Sequence, residues 1–153
     1  MTQPGQFAST STLTIKTEKS EIENVRVLGP LRDYTQVEIS KTDAYQLGLN
    51  PPVRKSGDIK ESESITIVGP KGEITIQEGC IIANRHLHVT KEMASEFNLV
   101  DDQKILVKIN TEKSGTIDAF VKISDDAYFE LHLDTDDANA FLLKNNDEVD
   151  LII

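Results

Sequence analysis

Cysteine, tryptophan and positive charge are scarce in this chain. A single cysteine, Cys80, among 153 residues excludes an intramolecular disulfide and suits a reducing compartment. Lys and Arg number 16 against 26 Asp and Glu, a formal net charge of −10. No basic stripe is therefore available to meet a phosphate backbone, and nucleic-acid binding is excluded. Only four cations are arginines, Arg26, Arg32, Arg54 and Arg85, so these are the candidates for gripping an anionic ligand. No apolar run approaches the roughly 18 residues of a membrane helix, and the start shows no signal-peptide pattern. The expectation is a cytoplasmic protein without a membrane partner. Tryptophan is absent and aromatics make up 5%, so the core has to be aliphatic. The length allows one ordinary domain or two small ones of about 70 residues each.

What the chain does have is concentrated at Ala83-Asn84-Arg85-His86-Leu87-His88-Val89-Thr90, which holds two of its three histidines. On a strand, residues i and i+2 share a face, so His86 and His88 offer two imidazoles to one cation. The unit recurs. Leu87-His88-Val89-Thr90 and the residues to Phe97 align without gaps on Leu131-His132-Leu133-Asp134 and the residues to Phe141, and also on Val37-Glu38-Ile39-Ser40 up to Ala44. Each copy reads apolar, potential ligand, apolar, N-cap residue, then a short helical pattern. Three equivalent slots thus hold Glu38, His88 and His132, all metal-ligating types.

The rest of the chain reads as short strands separated by turn signals. Strands are predicted over Leu13–Lys16, Val25–Leu28 and Thr35–Ile39, then a helix over Lys41–Leu47 closed by Gly48. Residues 50–63, polar and rich in Pro, Gly and Ser, read as a loop. The pattern then restarts: Gly29 and Glu38 correspond to Gly79 and His88 at an offset of 50. Ile65–Val68 and Glu73–Ile76 flank Gly69-Pro70-Lys71-Gly72 as a hairpin. That tetrapeptide lacks the spacing and following helix of a P-loop. Further strands are predicted over Lys104–Ile109, Ala119–Ile123, Tyr128–Leu133 and Glu148–Ile153, with a helix from Thr135 to Leu143. The fold class is mainly β, barrel or sandwich.

Three histidines with an open fourth position suit zinc used for chemistry, as a Lewis acid or as an activator of water. With one cysteine in the chain, a thiolate-rich structural site is excluded. The bland reading is that the histidines are hydrogen-bonded core residues of repeated barrels. Arg32, six residues before Glu38, is suited to bidentate contact with phosphate; its other reading is a surface arginine paired with Asp33 or a neighbour. Arg85 faces away from His86 and His88 on a regular strand, which points to packing or an ion pair.

Gly29-Pro30-Leu31-Arg32, Gln36-Val37-Glu38-Ile39-Ser40, Pro51-Pro52-Val53-Arg54-Lys55-Ser56-Gly57, Arg85-His86-Leu87-His88 and Leu131-His132-Leu133-Asp134-Thr135-Asp136 together resemble the phosphate propanoyltransferases of the propanediol-utilisation type. The resemblance runs over nearly the whole chain. It implies two small β-barrels with short capping helices and a metal site between them, residues 1–79 forming the first barrel region and 80–153 the second, with room for strands to be exchanged. It implies a zinc-dependent phosphotransacylase that interconverts propanoyl-CoA plus phosphate with propanoyl phosphate plus coenzyme A. His86, His88 and His132 would hold one zinc, Glu38 would serve a second metal and Arg32 would contact phosphate. Arg54 is a candidate for contact with coenzyme A, capping of its own loop being the other reading. Family members carry a further N-terminal segment with an Arg-His-x-His motif that supplies the Glu38 metal. Without it, one zinc per protomer, impaired turnover and pairing of copies into a dimer are expected. Partners would be acyl-CoA and phosphate, and the compartment the cytoplasm or a bacterial microcompartment. Two other functions stay open: a noncatalytic zinc-binding or assembly module, and a zinc hydrolase.

Overall fold

Apolar residues at alternate positions set the strand faces. The strand Lys104–Ile109 buries Ile105, Val107 and Ile109 and turns Lys104, Leu106 and Lys108 outward, the period of two expected of a half-buried sheet. The computed structural model describes residues 3–153, which divide into two compact units, Pro4–Ala83 and Gln3 with Asn84–Ile153. Both are mainly β, as the residue pattern indicates. Among the described residues no helix is long and apolar enough to cross a membrane.

The N-terminal unit contains β1 (Phe7–Lys16), β2 (Glu21–Gly29), β3 (Val37–Glu38), α1 (Lys41–Leu47), β4 (Val53–Arg54), β5 (Glu63–Gly69) and β6 (Gly72–Ala83). Its sheet runs β2-β1-β5-β6-β3, with β4 also paired to β6. The β5–β6 hairpin turns through Pro70-Lys71 between the paired Gly69 and Gly72. At Gly79, φ is 137° and a Cβ would come within 2.6 Å of the Thr35 carbonyl oxygen, so β6 passes this point only without a side chain. Ile15, Val37, Ile39, Ala44, Leu47, Ile65 and Cys80 form the core. The short β4 lies inside the stretch read as loop. It pairs in parallel with Ile82 and Ala83 of β6, a long-range contact that its Pro-rich surroundings hide.

The C-terminal unit contains β7 (His86–Thr90), α2 (Lys91–Glu96), β8 (Lys104–Ile109), β9 (Gly115–Ser124), β10 (Glu130–His132), α3 (Thr135–Ala140) and β11 (Asp150–Ile152). Its sheet order is β10-β7-β9-β8-β11; β7 runs parallel to β9 and the other pairs are antiparallel. Leu87 and Val89 of β7 enter the aliphatic core with Ile105, Val107, Ile109, Ile117, Ala119 and Val121. Each Val, Leu or Ile among them contributes roughly 1.5–3 kcal/mol when fully buried.

The three copies found in the sequence are three copies of one structural unit. Ser40, Thr90 and Asp134 are the N-caps, all at φ −78°, and each accepts a hydrogen bond from the backbone N–H three residues on. The helices end alike too. Leu49, Leu99 and Leu143 donate their N–H to the carbonyls of Ala44, Ala94 and Ala138, across left-handed residues Gly48, Asn98 and Leu142. This closure stops α3 at Ala140, three residues before the end of the periodic pattern, because Leu143 turns back to Ala138. The repeated cap holds each preceding strand end, and hence each slot two residues before it, in the same local geometry.

Candidate metal centre

Sheet register gathers the histidines. His86 and His88 lie two apart on β7 and share a face, and antiparallel β10 places His132 opposite His86 and Glu130 opposite His88. Ring centroids are 4.7 Å apart for His86–His88, 5.2 Å for His86–His132 and 4.5 Å for His88–His132. One ligand nitrogen from each lies within 4.8 Å of the others. A tetrahedral zinc with Zn–N near 2.0–2.1 Å needs nitrogens about 3.3 Å apart, and the three here are separated by no more than 4.8 Å.

The electrostatics suit a ligand set. Burial pushes the His88 imidazole down to about 3, and the neighbouring His86, His132 and Lys122 add to the effect. His86 is lowered for the same reason, burial first, although its bond to the Asn84 carbonyl works the other way. Both rings are neutral near pH 7, the state in which imidazole binds a metal. His86 Nδ1 lies 2.8 Å from the Asn84 carbonyl oxygen, which places the ring proton on Nδ1 and leaves Nε2 for a cation. His132 Nε2 instead lies 3.3 Å from Glu130 Oε2. The buried Gln3 donates its amide N–H to the same oxygen at 2.9 Å and accepts from the Tyr128 backbone N–H at 2.9 Å. Three imidazole nitrogens and no thiolate make a donor set that fits zinc. Cys80 takes no part: it is buried in the core of the N-terminal unit, where burial and then the Glu63 charge push its thiol up to about 12.

Glu38 occupies the equivalent slot in the N-terminal unit, exposed at the end of β3. A chain of hydrogen bonds runs from it. Gln36 Nε2 donates to Glu38 Oε1 at 2.6 Å and to Ser56 Oγ at 2.9 Å, while Gln36 Oε1 accepts from the Gly57 N–H at 2.7 Å. The exposed Arg32 donates to Ser56 Oγ at 3.2 Å and to the Tyr34 hydroxyl at 3.0 Å, its guanidinium 5.8 Å from the Tyr34 ring centroid. Arg32 thus joins the polar chain that ends at Glu38. Arg54 reaches both carboxylate oxygens of Asp58 at 3.3 Å, an ion pair within its own loop. Arg85 donates to Asp118 at 3.0 Å and to Asp137 at 2.8 Å, tying β9 to α3 as its opposite facing foretold.

Gln36, Ser56, Glu130 and Gln3 join the two clusters without being predicted site residues. Two of them carry a signal in the sequence. Extending the gapless alignment two residues upstream aligns Gln36, His86 and Glu130, each on the same face as the slot that follows. Ser56 and Gln3 carry no local signal; tertiary contact alone brings them in.

A family model described as phosphate propanoyltransferase matches residues 1–144. The phosphate propanoyltransferase of Thermotoga maritima is 43% identical over 152 residues, covering 98% of this chain and 72% of the relative. That of Priestia megaterium is 47% identical over 148 residues, covering 96% and 68%. The one from Lachnoclostridium phytofermentans is 49% identical over 139 residues, covering 89% and 65%. The chain therefore spans 65–72% of the length of these relatives.

Proposed function

This chain belongs to the phosphate propanoyltransferase family, a family of acyltransferases, and from that premise we propose that it exchanges phosphate and coenzyme A on a propanoyl group. The observation that carries the proposal is the convergence of His86, His88 and His132 on one point, from strands the sequence repeat had already related.

In this reading the three histidines hold zinc, which when bound supplies Lewis acidity toward a thioester carbonyl or a leaving thiolate. Arg32 binds phosphate. Ser56 and Tyr34 fix its guanidinium on one nitrogen, which presents the planar fork in a set direction. A phosphate oxygen attacks the thioester carbon, the carbon–sulfur bond breaks, and coenzyme A leaves as thiolate to be protonated by solvent. Holding phosphate in place removes much of the entropic cost of that encounter. Gln36 fixes the Glu38 carboxylate, which would serve a second cation if further ligands were supplied to it. Arg54, engaged with Asp58, is the arginine proposed to meet coenzyme A. The resemblance to propanediol-utilisation enzymes supports residence in the cytoplasm or in a bacterial microcompartment. Edge strand β2, paired on one side by β1, supports pairing of copies.

The test is release of thiol from propanoyl-CoA by the zinc-loaded chain, with and without phosphate. Phosphate-dependent release is the expected result. Release without phosphate would make the protein a hydrolase, and no release would make it a noncatalytic metal-binding module.

A further inference from the structure

We infer that Glu130, held by Gln3, is a positioning residue that sets which nitrogen of His132 meets the metal. The inference rests on the three-histidine zinc reading above and goes beyond it. Glu130 and His132 alternate on one face of β10, as His86 and His88 do on β7. In the aligned copies, Glu130 stands where His86 stands, yet its carboxylate is not one of the group of ligand atoms that converge. It turns instead to the His132 ring, Oε2 to Nε2 at 3.3 Å.

Gln3 makes the arrangement directional. Its amide nitrogen donates to Glu130 Oε2 at 2.9 Å, and its amide oxygen is fixed by the Tyr128 N–H at 2.9 Å. With that oxygen accepting, the amide of Gln3 can present only a donor to the carboxylate. The Gln3 nitrogen, a donor only, also lies 3.5 Å from His132 Nε2, which could accept from it only if unprotonated; the carboxylate is the nearer partner of both, at 2.9 Å from the amide and 3.3 Å from the ring. The carboxylate thus receives N–H groups from both sides. His132 keeps its proton on Nε2 and offers Nδ1 to the cation, the reverse of His86, whose Nδ1–H is held by the Asn84 carbonyl. A carboxylate behind a ligating imidazole orients the ring and raises its basicity; removing such a partner typically weakens metal binding about 10–100-fold.

Long-range 1H–15N NMR of the zinc-loaded chain reads the tautomers directly and needs no variant. The expected spectrum has His132 protonated at Nε2 and His86 protonated at Nδ1. Competition with a chromophoric chelator then gives zinc affinity. Glu130→Ala is expected to bind zinc about 10–100-fold more weakly, and Glu130→Gln, which keeps shape and an acceptor oxygen, to fall between that and wild type. The d–d spectrum of the cobalt-substituted chain should shift with Glu130→Ala, which a purely structural loss would not cause. His132 bound through Nε2 would put Glu130 beside the ion as a ligand and overturn the positioning role. Zinc affinity within twofold of wild type in both variants would overturn it as well. A wild-type chain that binds neither zinc nor cobalt would remove the metal reading itself, and this inference with it.

Discussion

His132 is the direct cross-strand partner of His86 in the antiparallel β7–β10 pair, with Leu131 opposite Leu87 and Glu130 opposite His88. Because side chains alternate with a period of two, a slip of one residue would turn His132 to the other face and Leu131 toward His88. The histidine cluster proposed to hold the metal is thus a property of register. Register in turn is held by the apolar residues between the histidines: Leu87 is buried in the core and Leu131 packs against it.

Arg32→Ala should separate the two halves of the proposed chemistry. The arginine belongs to the polar chain of the N-terminal unit, whereas the histidines lie in the C-terminal one. The expected outcome is a loss on the order of 100-fold in kcat/KM for phosphate, the scale of removing one preorganised donor, with zinc content unchanged. Steady-state kinetics with phosphate as the varied substrate, alongside metal analysis, check it. Unaltered phosphate dependence would reject the role of Arg32.

Asp134 caps α3 where Ser40 and Thr90 cap the other two helices, and it is the one acidic member of the set. Burial raises its pKa above the ordinary 3.8, and the charges of Asp137 and Asp136 push the same way. A carboxyl whose folded pKa lies above its unfolded value loses stability as pH rises through that window, so the folded state weakens above about pH 4. Asp134→Thr should keep the cap and flatten this slope, with stability at pH 7 equal to or above wild type. Asp134→Ala should cost about 1 kcal/mol, the usual loss of an N-cap. Urea unfolding across pH 3–7 distinguishes the two.

Leu142 is a left-handed residue, φ 54°, in the position that Gly48 fills in the first copy, and it is about half exposed, at 49%. An L-residue there costs roughly 1–2 kcal/mol, offset in part by the smaller unfolded-state entropy of leucine. Leu142→Gly is expected to raise unfolding stability by about 0.5–1 kcal/mol. A lower urea midpoint in the variant would show that Leu142 makes apolar contacts worth more than the strain it bears.

Much of this is legible in the sequence. Helix α1 is found over Lys41–Leu47, and strand β8 over Lys104–Ile109, because caps and alternation are local signals. The repeat also revealed the three slots, since the cap, the helix and the left-handed closure are encoded within about a dozen residues. Elements defined by partners were less legible. Strand β3 covers only Val37–Glu38 of the apolar run, because its ladder extends no further along β6. Strand β4 arises from pairing with a segment almost 30 residues away in sequence. The same limit applies to the site. His86, His88 and His132 were found from spacing, and Gln36 and Glu130 were within reach of the same alignment. Ser56 and Gln3 act through bonds that no local pattern records.

The central claim is that His86, His88 and His132 are ligands to one metal ion, and zinc analysis of the purified chain tests it most directly. The account predicts about one zinc per chain for wild type, the described residues holding a single such group, and a large loss of zinc in each of His86→Ala, His88→Ala and His132→Ala, since three protein ligands are the usual minimum for such a site. Zinc content near zero in wild type, or unchanged in all three variants, would contradict it.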